Sequence, residues 1–464
     1  MKLNKEQYIA AHHTNGPMLV LAGPGSGKTH LLVERIRIMT KEKGIDPSSI
    51  LVITFSKKAA CEMEARFKRR TEDEVLPVTF GTFHAVFYHI LRTYEPDIKR
   101  LITEEEQKEF LSRVMREENI GSELFSNEDN TEEILGIISA YKNFGEDFYE
   151  KSEAGRGMDE CERNDLCTVN AAYRRLVERS GLIDFDDMIT RCRDILYKHE
   201  SVLRMWQKRY RYFLIDEFQD INGAQYDVLR LLAGDERNVF AVGDDDQSIY
   251  AFRGARPELM KKFIRQYPGC RRVTLTMNYR CCENVIGAAD SLIRHNFDRM
   301  DRPMQRHLPS MSGGEVYIVN SESSDVQAAY VCDTIEKFVG DGVCTMKEIA
   351  VLYRSEHCAR LLRRVAKKRG VTPKMMSAHA SKGLEFKCVF VIGLQEGLFP
   401  HHRNMWGNAE EERRLMYVAM TRAKEKLYMC TISTEHGKRP SRFAAESASK
   451  KRYITDSYRL IRLS

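Results

Sequence analysis

Residues 22–29 read AGPGSGKT, and this stretch decides the fold because a glycine-rich turn ending in Lys-Thr is typical of a loop that binds phosphate. MLVLA before it predicts a buried strand, and THLLVERIRIM after it predicts an amphipathic helix. Backbone N–H groups and the helix N-terminus would then surround the phosphates of a nucleotide. The residues expected to contact that nucleotide are Ala22, Gly23, Pro24, Gly25, Ser26, Gly27, Lys28, Thr29 and His30.

A second segment, LIDEFQD at residues 214–220, supplies the acidic half of an NTP-hydrolysing site. RYFLIDE predicts a short buried strand that ends in two carboxylates. Asp216 and the Thr29 hydroxyl would hold Mg²⁺, Glu217 would polarise the attacking water, and Lys28 would place its charge at the phosphates. The two segments together predict an NTPase that uses Mg²⁺.

Composition limits the alternatives. The 464 residues are 42% apolar and 9% aromatic, which is enough for about three domains with real cores. A formal charge of +6 permits a polyanionic partner without establishing one. No run approaches the ~18 apolar residues of a membrane span, which favours a cytosolic protein. The twelve cysteines include no C-x-x-C pair, so we expect reduced thiols and no metal beyond Mg²⁺.

Strand and helix patterns alternate from Met18 to about His89, stop, and resume at RYFLIDEF, an α/β order that predicts parallel sheets. Charged helical stretches such as TEEEQKEFLSRVMREEN lie between and predict a helical insertion. A second α/β set begins near RRVTLTMNYR. The expected domains are 1–89 with 181–274 (first lobe), 90–180 (insertion), 275–446 (second lobe) and 447–464, a basic tail interpreted as a frayed solvated end.

Ten segments in one order resemble the UvrD/Rep/PcrA group of superfamily 1 DNA helicases. They are LNKEQ, AGPGSGKT, ITFSKKAACEM, FGTFHAV, IDFDDM, LIDEFQD, VGDDDQSIYAFRGA, LTMNYR, SAHASKGLEF and EERRLMYVAMTRAKEKL. The resemblance implies an α/β fold with two RecA-like parallel-sheet lobes and ATP as the nucleotide. It also implies movement 3′ to 5′ on single-stranded or tailed duplex DNA, in repair, replication or recombination. The bacterial cytosol or nucleoid and an accessory repair or replication protein fit this function.

The resemblance assigns further nucleotide contacts. Gln7 would read adenine through its amide, the pairing its geometry allows. Tyr279 would stack on the base, with core packing as the alternative. Gln247 would sense the γ-phosphate, and Glu385 would accept a hydrogen bond from ribose. Two residues far along the chain from Lys28 would act as arginine fingers on the transferring phosphoryl group: Arg280 and Arg422.

A motor also needs residues that hold its track. Base stacking on aromatic side chains works without sequence preference, and the candidates for it are Phe55, Tyr250 and Phe252. Core packing remains an equal alternative for Phe55. Donors suited to phosphate and sugar contacts are Thr82, His84, Arg253, His379 and Ser381. No residue excludes RNA as the track.

The chain departs from the group between the VLYR strand and the SAHASKGLEF motif. Full-length relatives insert an accessory domain, called 2B, at this point, whereas here 22 residues separate Arg354 from Ser377. They include LLRRVAKKRG, which is either a solvated helix or part of a DNA-facing surface. ATPase and translocation should survive without 2B, but unwinding by the chain alone is less secure. A DNA-binding regulator without productive movement and a P-loop kinase are the other hypotheses, and DNA stimulation of ATP turnover discriminates among them.

Overall fold

A computed structural model describes residues 2–72, 74–127, 130–144, 148–151, 153–303, 306–401, 409–433 and 439–461. The chain divides into two compact units. The first comprises Met1–Val20, Lys28–Gly243 and Tyr250–Val273, and the second comprises Leu21–Gly27, Asp244–Ile249 and Thr274–Ser464. Two short pieces of chain therefore group with the second unit although their neighbours in sequence group with the first.

The first six-stranded sheet has the order β3-β2-β6-β7-β1-β8. Its parallel pairs include β2 with β3, β2 with β6, and β6 with β7. Strands β1, β2 and β7 are buried along their whole length, as expected for a parallel sheet covered on both faces. The strands are β1 (Met18–Ala22), β2 (Ile50–Thr54), β3 (Thr79–Thr82), β6 (Tyr212–Ile215), β7 (Val239–Gly243) and β8 (Arg271–Leu275).

Helices of the first unit fall into two groups. Those that alternate with the strands are α1 (Lys5–His12), α2 (Lys28–Arg37), α3 (Lys57–Arg70), α4 (Phe83–Tyr94), α11 (Phe185–Lys198), α12 (Glu200–Arg209), α13 (Gly223–Ala233) and α14 (Glu258–Gln266). The insertion holds α5 (Glu104–Glu117), α6 (Glu123–Ser126), α7 (Thr131–Phe144), α8 (Phe148–Lys151), α9 (Glu153–Gly157) and α10 (Glu160–Arg179). A two-stranded ladder of β4 (Arg100–Leu101) and β5 (Leu182–Ile183) brings the two ends of the insertion together.

The second unit contains a six-stranded sheet of order β13-β12-β14-β15-β11-β16, in which every neighbouring pair is parallel. Its strands are β11 (Glu315–Ser321), β12 (Ile349–Tyr353), β13 (Lys374–Ser377), β14 (Phe386–Leu394), β15 (Ala423–Ile432) and β16 (Asp456–Ile461). A separate pair joins β9 (Met277–Asn278) and β10 (Arg306–His307). The helices are α15 (Glu283–Ile293), α16 (Ser324–Gly340), α17 (Glu356–Arg369), α18 (Ala409–Met420) and α19 (Arg442–Ser447).

The predicted fold class, two parallel-sheet α/β lobes with a helical insertion in the first, is confirmed. For the described residues 447–461, the interpretation of the C-terminal segment as a frayed end is wrong. Tyr453 is buried, its ring meeting Gly287 of α15, and β16 adds an edge strand to β11. The described part of the chain contains no helix long and apolar enough to cross a membrane.

Candidate active site

Several candidate residues follow parallel strands of the first sheet. Phe55 comes directly after β2, Thr82 ends β3, and Asp216 and Glu217 come directly after β6. Because the carboxyl ends of parallel strands lie at one edge, these residues are brought to the same edge of the sheet. Asp216 also continues the ladder, since its N–H donates to the carbonyl oxygen of Ile53 at 2.9 Å.

Lys28 lies beside one of the two strand-end carboxylates, that of Glu217. Lys28 Nζ at the start of α2 lies 3.4 Å from Glu217 Oε1, and both side chains are mostly buried. Glu217 adopts a left-handed backbone conformation, φ +53°, which is rare for a residue other than glycine. Gln219 Nε2 donates to Glu217 Oε2 at 2.5 Å, so the carboxylate is held from two sides. Such backbone strain persists only where its surroundings impose it, and it is common at reaction sites.

The phosphate loop is held closely by residues of the second unit. Asn278 Nδ2 donates to the carbonyl oxygen of Pro24 at 2.9 Å, and the Tyr279 N–H donates to that of Gly25 at 2.8 Å. Gly25 has φ +68°, and a Cβ there would lie 2.5 Å from Arg280 Cβ. Glycine is therefore required at this position for both its conformation and its lack of a side chain.

Arg280 thus lies directly against the phosphate loop, within the second unit. Its Nε is 2.8 Å from Glu385 Oε2, and Lys424 Nζ is 2.7 Å from Glu385 Oε1. Burial alone would raise the pKa of Glu385, but the hydrogen bond from Lys424 and the charge of Arg280 outweigh it and lower that pKa. The carboxylate expected to bind ribose is therefore engaged by two cations here.

Arg422 is almost completely buried. Its guanidinium donates to the carbonyl oxygens of Val418 and Leu384, at 2.9 and 3.2 Å, and to the Thr421 hydroxyl at 3.2 Å. Its position is thus fixed by the backbone of its own lobe.

Gln247 directly follows a run of three aspartates, Asp244–Asp246, that is buried in the second unit. Its Nε2 donates to Asp244, and its carbonyl oxygen accepts from Lys382 Nζ at 2.9 Å. Arg299 forms a bidentate pair with Asp246, with both contacts at 2.7 Å, and Arg302 bonds Asp244 and Asp246. Gln247, the expected γ-phosphate sensor, therefore lies next to a network of buried ion pairs.

The remaining predicted nucleotide residues lie in helix caps and first turns. Gln7 is buried in α1, where its Oε1 accepts from the Asn4 N–H at 3.1 Å in a capping box. Thr29 and His30 stand in the first turn of α2. In the loop before them, Ser26 Oγ donates to the carbonyl oxygen of Gly23 at 2.7 Å.

Two aromatic residues and one arginine form a group that we call the stacked-ring face: Phe55, Tyr250 and Arg253. The Phe55 and Tyr250 rings stack with centroids 4.6 Å apart at 15°, and the Arg253 guanidinium lies 5.7 Å from the Tyr250 centroid. His84 packs edge-on against the exposed ring of Phe185 at 5.3 Å. Burial and then the charge of Arg253 lower the pKa of His84, so the ring is neutral near pH 7.

A cavity of about 510 Å³ in the first unit is lined both by the strand-end carboxylates and by residues of the stacked-ring face. Asp216 and Glu217 line it together with Phe55, His84 and Arg253. Residues expected to act in nucleotide hydrolysis and residues expected to bind the strand therefore line the same cavity of this unit.

Other predicted DNA contacts are placed less directly. Thr82 Oγ1 caps α4 by accepting from the Ala85 N–H at 3.2 Å. Ser381 is fully buried and its hydroxyl donates to the carbonyl oxygen of Ala378 at 2.6 Å, whereas His379 is half-buried in the same turn. Phe252 belongs to the turn Ala251–Arg253, and its side chain lies outside the described part.

Oxygen ligands at the carboxyl edge suit a hard divalent cation. The Thr29 hydroxyl and the Asp216 carboxylate are the donor types that Mg²⁺ prefers, beside a lysine and a helix N-terminus that suit phosphate. No group of three or more His, Cys, Asp or Glu ligands occurs within the described ranges. The residues therefore fit Mg²⁺ held partly by a nucleotide.

Sequence reasoning missed three residues that shape this site. Asn278 is fully buried, and its Oδ1 accepts from the N–H groups of Arg280 and Cys281 while its amide holds the loop. Gln219 fixes Glu217, and Phe185 offers an exposed ring. Each lies inside a quoted motif (LTMNYR, LIDEFQD or IDFDDM), which was the available signal.

Comparison with protein families matches residues 3–268 to the UvrD/REP helicase N-terminal domain. Residues 273–378 and 372–434 match the UvrD-like helicase C-terminal domain. The chain belongs to the UvrD/REP helicase family. The predicted resemblance is thereby confirmed.

Members of this UvrD/REP family with curated names include "ATP-dependent DNA helicase PcrA" of Staphylococcus epidermidis, 33% identical over 365 residues, which are 78% of this chain and 49% of the relative. "Putative ATP-dependent DNA helicase YjcD" of Bacillus subtilis is 33% identical over 367 residues, 78% and 47% of the two chains. The chain spans about half the length of the curated relatives it matches.

Proposed function

We propose that this chain is an ATP-driven motor that moves 3′ to 5′ along single-stranded DNA, in DNA repair, replication or recombination. The observation that carries the proposal is the 3.4 Å approach of Lys28 to a Glu217 carboxylate that is held by Gln219. Family membership and the names of the relatives support ATP and DNA as the ligands.

The residues divide the work of hydrolysis. Lys28 and the start of α2 bind the phosphates, and Glu217 orients and polarises the attacking water. Thr29 and Asp216 would hold Mg²⁺, which would neutralise charge on the phosphates. Gln7 and Tyr279 would hold the base and Glu385 the ribose, while Gln247, Arg280 and Arg422 respond to the γ-phosphate. Release of Glu385 from Arg280 on nucleotide binding would free that guanidinium.

Strand binding is assigned to the stacked-ring face and its neighbours. An intercalating base would replace the Phe55–Tyr250 stack, and Arg253 would meet the adjacent phosphate. Phe185 adds a ring beside His84. Thr82, His379, Ser381 and Phe252 remain proposed contacts.

A narrower activity, translocation without duplex separation, is the second candidate. The connection from β12 to β13 consists of α17 and short turns, so no folded accessory domain lies between Tyr353 and Lys374. The α17 helix carries exposed arginines and lysines opposite its buried Ala359, Leu362 and Ala366. Separation of strands would then require a partner protein or self-assembly.

One experiment distinguishes these functions. ATP turnover and strand displacement are measured on duplexes with a 3′ or a 5′ single-stranded tail, with Lys28→Ala as the control. DNA-stimulated turnover that Lys28→Ala abolishes supports the motor, and displacement confined to the 3′-tailed substrate supports the direction. Turnover without displacement identifies the narrower activity. Turnover indifferent to both DNA and Lys28→Ala would reject the proposed site.

A further inference from the structure

Asn143, near the end of α7 in the helical insertion, joins three separate parts of the first unit. Its Nδ2 donates to Asp186 Oδ1 at 2.8 Å and to the carbonyl oxygen of Ser139 at 2.9 Å. Its Oδ1 accepts from Asn222 Nδ2 at 2.6 Å. The side chain is almost fully buried, and both amide hydrogens are used. Such a satisfied buried amide specifies one arrangement of the elements around it.

Asn222 connects Asn143 to the chemistry. It stands five residues after Glu217, and it begins α13 with a capping box in which its Oδ1 accepts from the Gln225 N–H at 2.8 Å. Since Oδ1 is used by the cap, Nδ2 is directed at Asn143. The short segment from Glu217 to Asn222 is therefore fixed at both ends, by Lys28 and Gln219 at one and by Asn143 at the other.

Gly254 connects Asn143 to the stacked-ring face. It ends the turn Ala251–Arg253 with φ +77°, and a Cβ there would lie 2.8 Å from Asn143 Cβ and 3.5 Å from Asn222 Cβ. The turn that carries Arg253 and follows Tyr250 thus rests directly on the Asn143–Asn222 pair. In addition, the Arg256 N–H donates to the carbonyl oxygen of Ile221 at 3.0 Å.

We propose that Asn143 is a positioning residue that couples strand binding at the stacked-ring face to the orientation of Asp216 and Glu217. This inference rests on the proposed motor function. A strand that shifts Tyr250 and Arg253 moves the turn ending at Gly254, and Asn143 passes that shift to Asn222 and the segment behind Glu217. Asn143 acts through these neighbours, because its amide group is engaged by Ser139, Asp186 and Asn222.

The insertion has a second attachment to α11 beside that of Asn143. The preceding residue, Lys142, places Nζ 2.7 Å from Asp184 Oδ2 and 2.9 Å from Asp187 Oδ2, in a buried ion triad with α11. Loss of the Asn143 amide therefore leaves α7 attached, which separates coupling from folding.

The test measures ATP turnover of the full chain with and without a single-stranded DNA oligonucleotide, together with the Kd for that DNA. For Asn143→Ala we expect DNA-free turnover within about twofold of the parent, a Kd within about threefold, and DNA stimulation reduced at least tenfold. Asn164→Ala, on an exposed position of α10 in the same insertion, is the matched control and should change nothing. Gly254→Ala, which presses on the same contact from the other side, should also reduce stimulation.

Three outcomes overturn the inference. Unchanged stimulation in Asn143→Ala removes the coupling role, and a proportional fall of DNA-free and DNA-stimulated turnover assigns Asn143 to the chemistry or to folding alone. If Asn143→Ala does not fold, Gly254→Ala decides, and its normal stimulation counts against coupling. A parent without any DNA stimulation refutes the proposed motor itself, so that failure is separately recognisable.

Discussion

At the scale of single residues, Gly25 combines two requirements that can be separated by mutation. Its φ of +68° disfavours any side chain, and a Cβ would also lie 2.5 Å from Arg280 Cβ. Gly25→Ala should therefore lower ATP turnover at least tenfold, about 1.4 kcal/mol in the activation barrier. Steady-state ATPase and the Kd of a non-hydrolysable ATP analogue provide the measurement.

Gly44 is the matched control for this prediction. Its φ is +63°, close to that of Gly25, but no atom lies within 4 Å of a Cβ placed there. Gly44→Ala should thus carry the backbone strain and leave turnover unchanged. Equal effects of the two substitutions would show that the approach of Arg280 to the loop is unimportant.

Asp186 gives a residue-scale prediction about pH. Burial, and then the charge of Asp184, raise the pKa of Asp186 to about 6 from its ordinary value near 3.8. The folded state then binds a proton that the unfolded state has released, so stability from this group is present below about pH 4 and is lost as pH rises through about 6.

Asp186→Asn removes this titration and keeps an oxygen that accepts from Asn143. Between pH 4 and pH 7 the parent should therefore lose about 1 to 3 kcal/mol more of its free energy of unfolding than the variant does. Denaturant unfolding at several pH values between 4 and 7 measures the difference. A parent and a variant with parallel pH profiles would contradict the raised pKa.

Motifs made Lys28, Glu217, Tyr250 and Arg280 candidate site residues because each lies in a short pattern with its own physical meaning. They did not reveal Asn143 or the loop contact of Asn278. The Asn278–Pro24 hydrogen bond joins residues 254 positions apart, and the local sequence of neither segment predicts it. Hydrogen-bond partners at long range are set by tertiary packing, so they emerge only from the folded chain.

At the scale of elements, periodicity predicted the strands and helices well where burial is one-sided or complete. The run KKAACEMEARFKRR is α3 from Lys57 to Arg70, and MLVLA is β1. The prediction for the C-terminal segment failed because DSYRLI alternates only weakly between apolar and polar residues. It forms a strand by pairing with β11, more than a hundred residues away. An edge strand of this kind is specified by its partner more than by its own pattern.

Tyr453 tests whether the C-terminal segment is an integral element. Its ring is buried against Gly287 of α15, so Tyr453→Ala leaves a cavity the size of a phenol ring. We expect a loss of about 3 kcal/mol in the free energy of unfolding. Calorimetry or denaturant melts measure it, with Tyr197→Ala, at an exposed position of α11, as the control. A loss no larger than that of the control would restore the frayed-end interpretation.

At the scale of the whole molecule, the balance between charge and stacking decides how a nucleic acid is held. The formal charge is only +6, from 73 basic and 67 acidic residues, so nonspecific attraction to a polyanion is weak. Binding should then depend on local contacts such as the stacked-ring face. Base stacking contributes ~1 to 3 kcal/mol per base and is insensitive to salt, whereas each phosphate contact adds about 0.7 to the salt slope.

Two substitutions in the stacked-ring face therefore have different expected signatures. Tyr250→Ala should weaken single-stranded DNA binding by ~1 to 3 kcal/mol at every salt concentration, with an unchanged slope of log affinity against log salt, because it removes a ring and no charge. Arg253→Ala should reduce that slope by about 0.7, since the exposed guanidinium would meet one phosphate. Fluorescence anisotropy of labelled homopolymer and mixed-sequence oligonucleotides, from about 50 to about 300 mM salt, measures both the affinity and the salt slope. A reduced slope in Tyr250→Ala, or an unchanged slope in Arg253→Ala, would mean that the strand does not lie along these side chains in the proposed way.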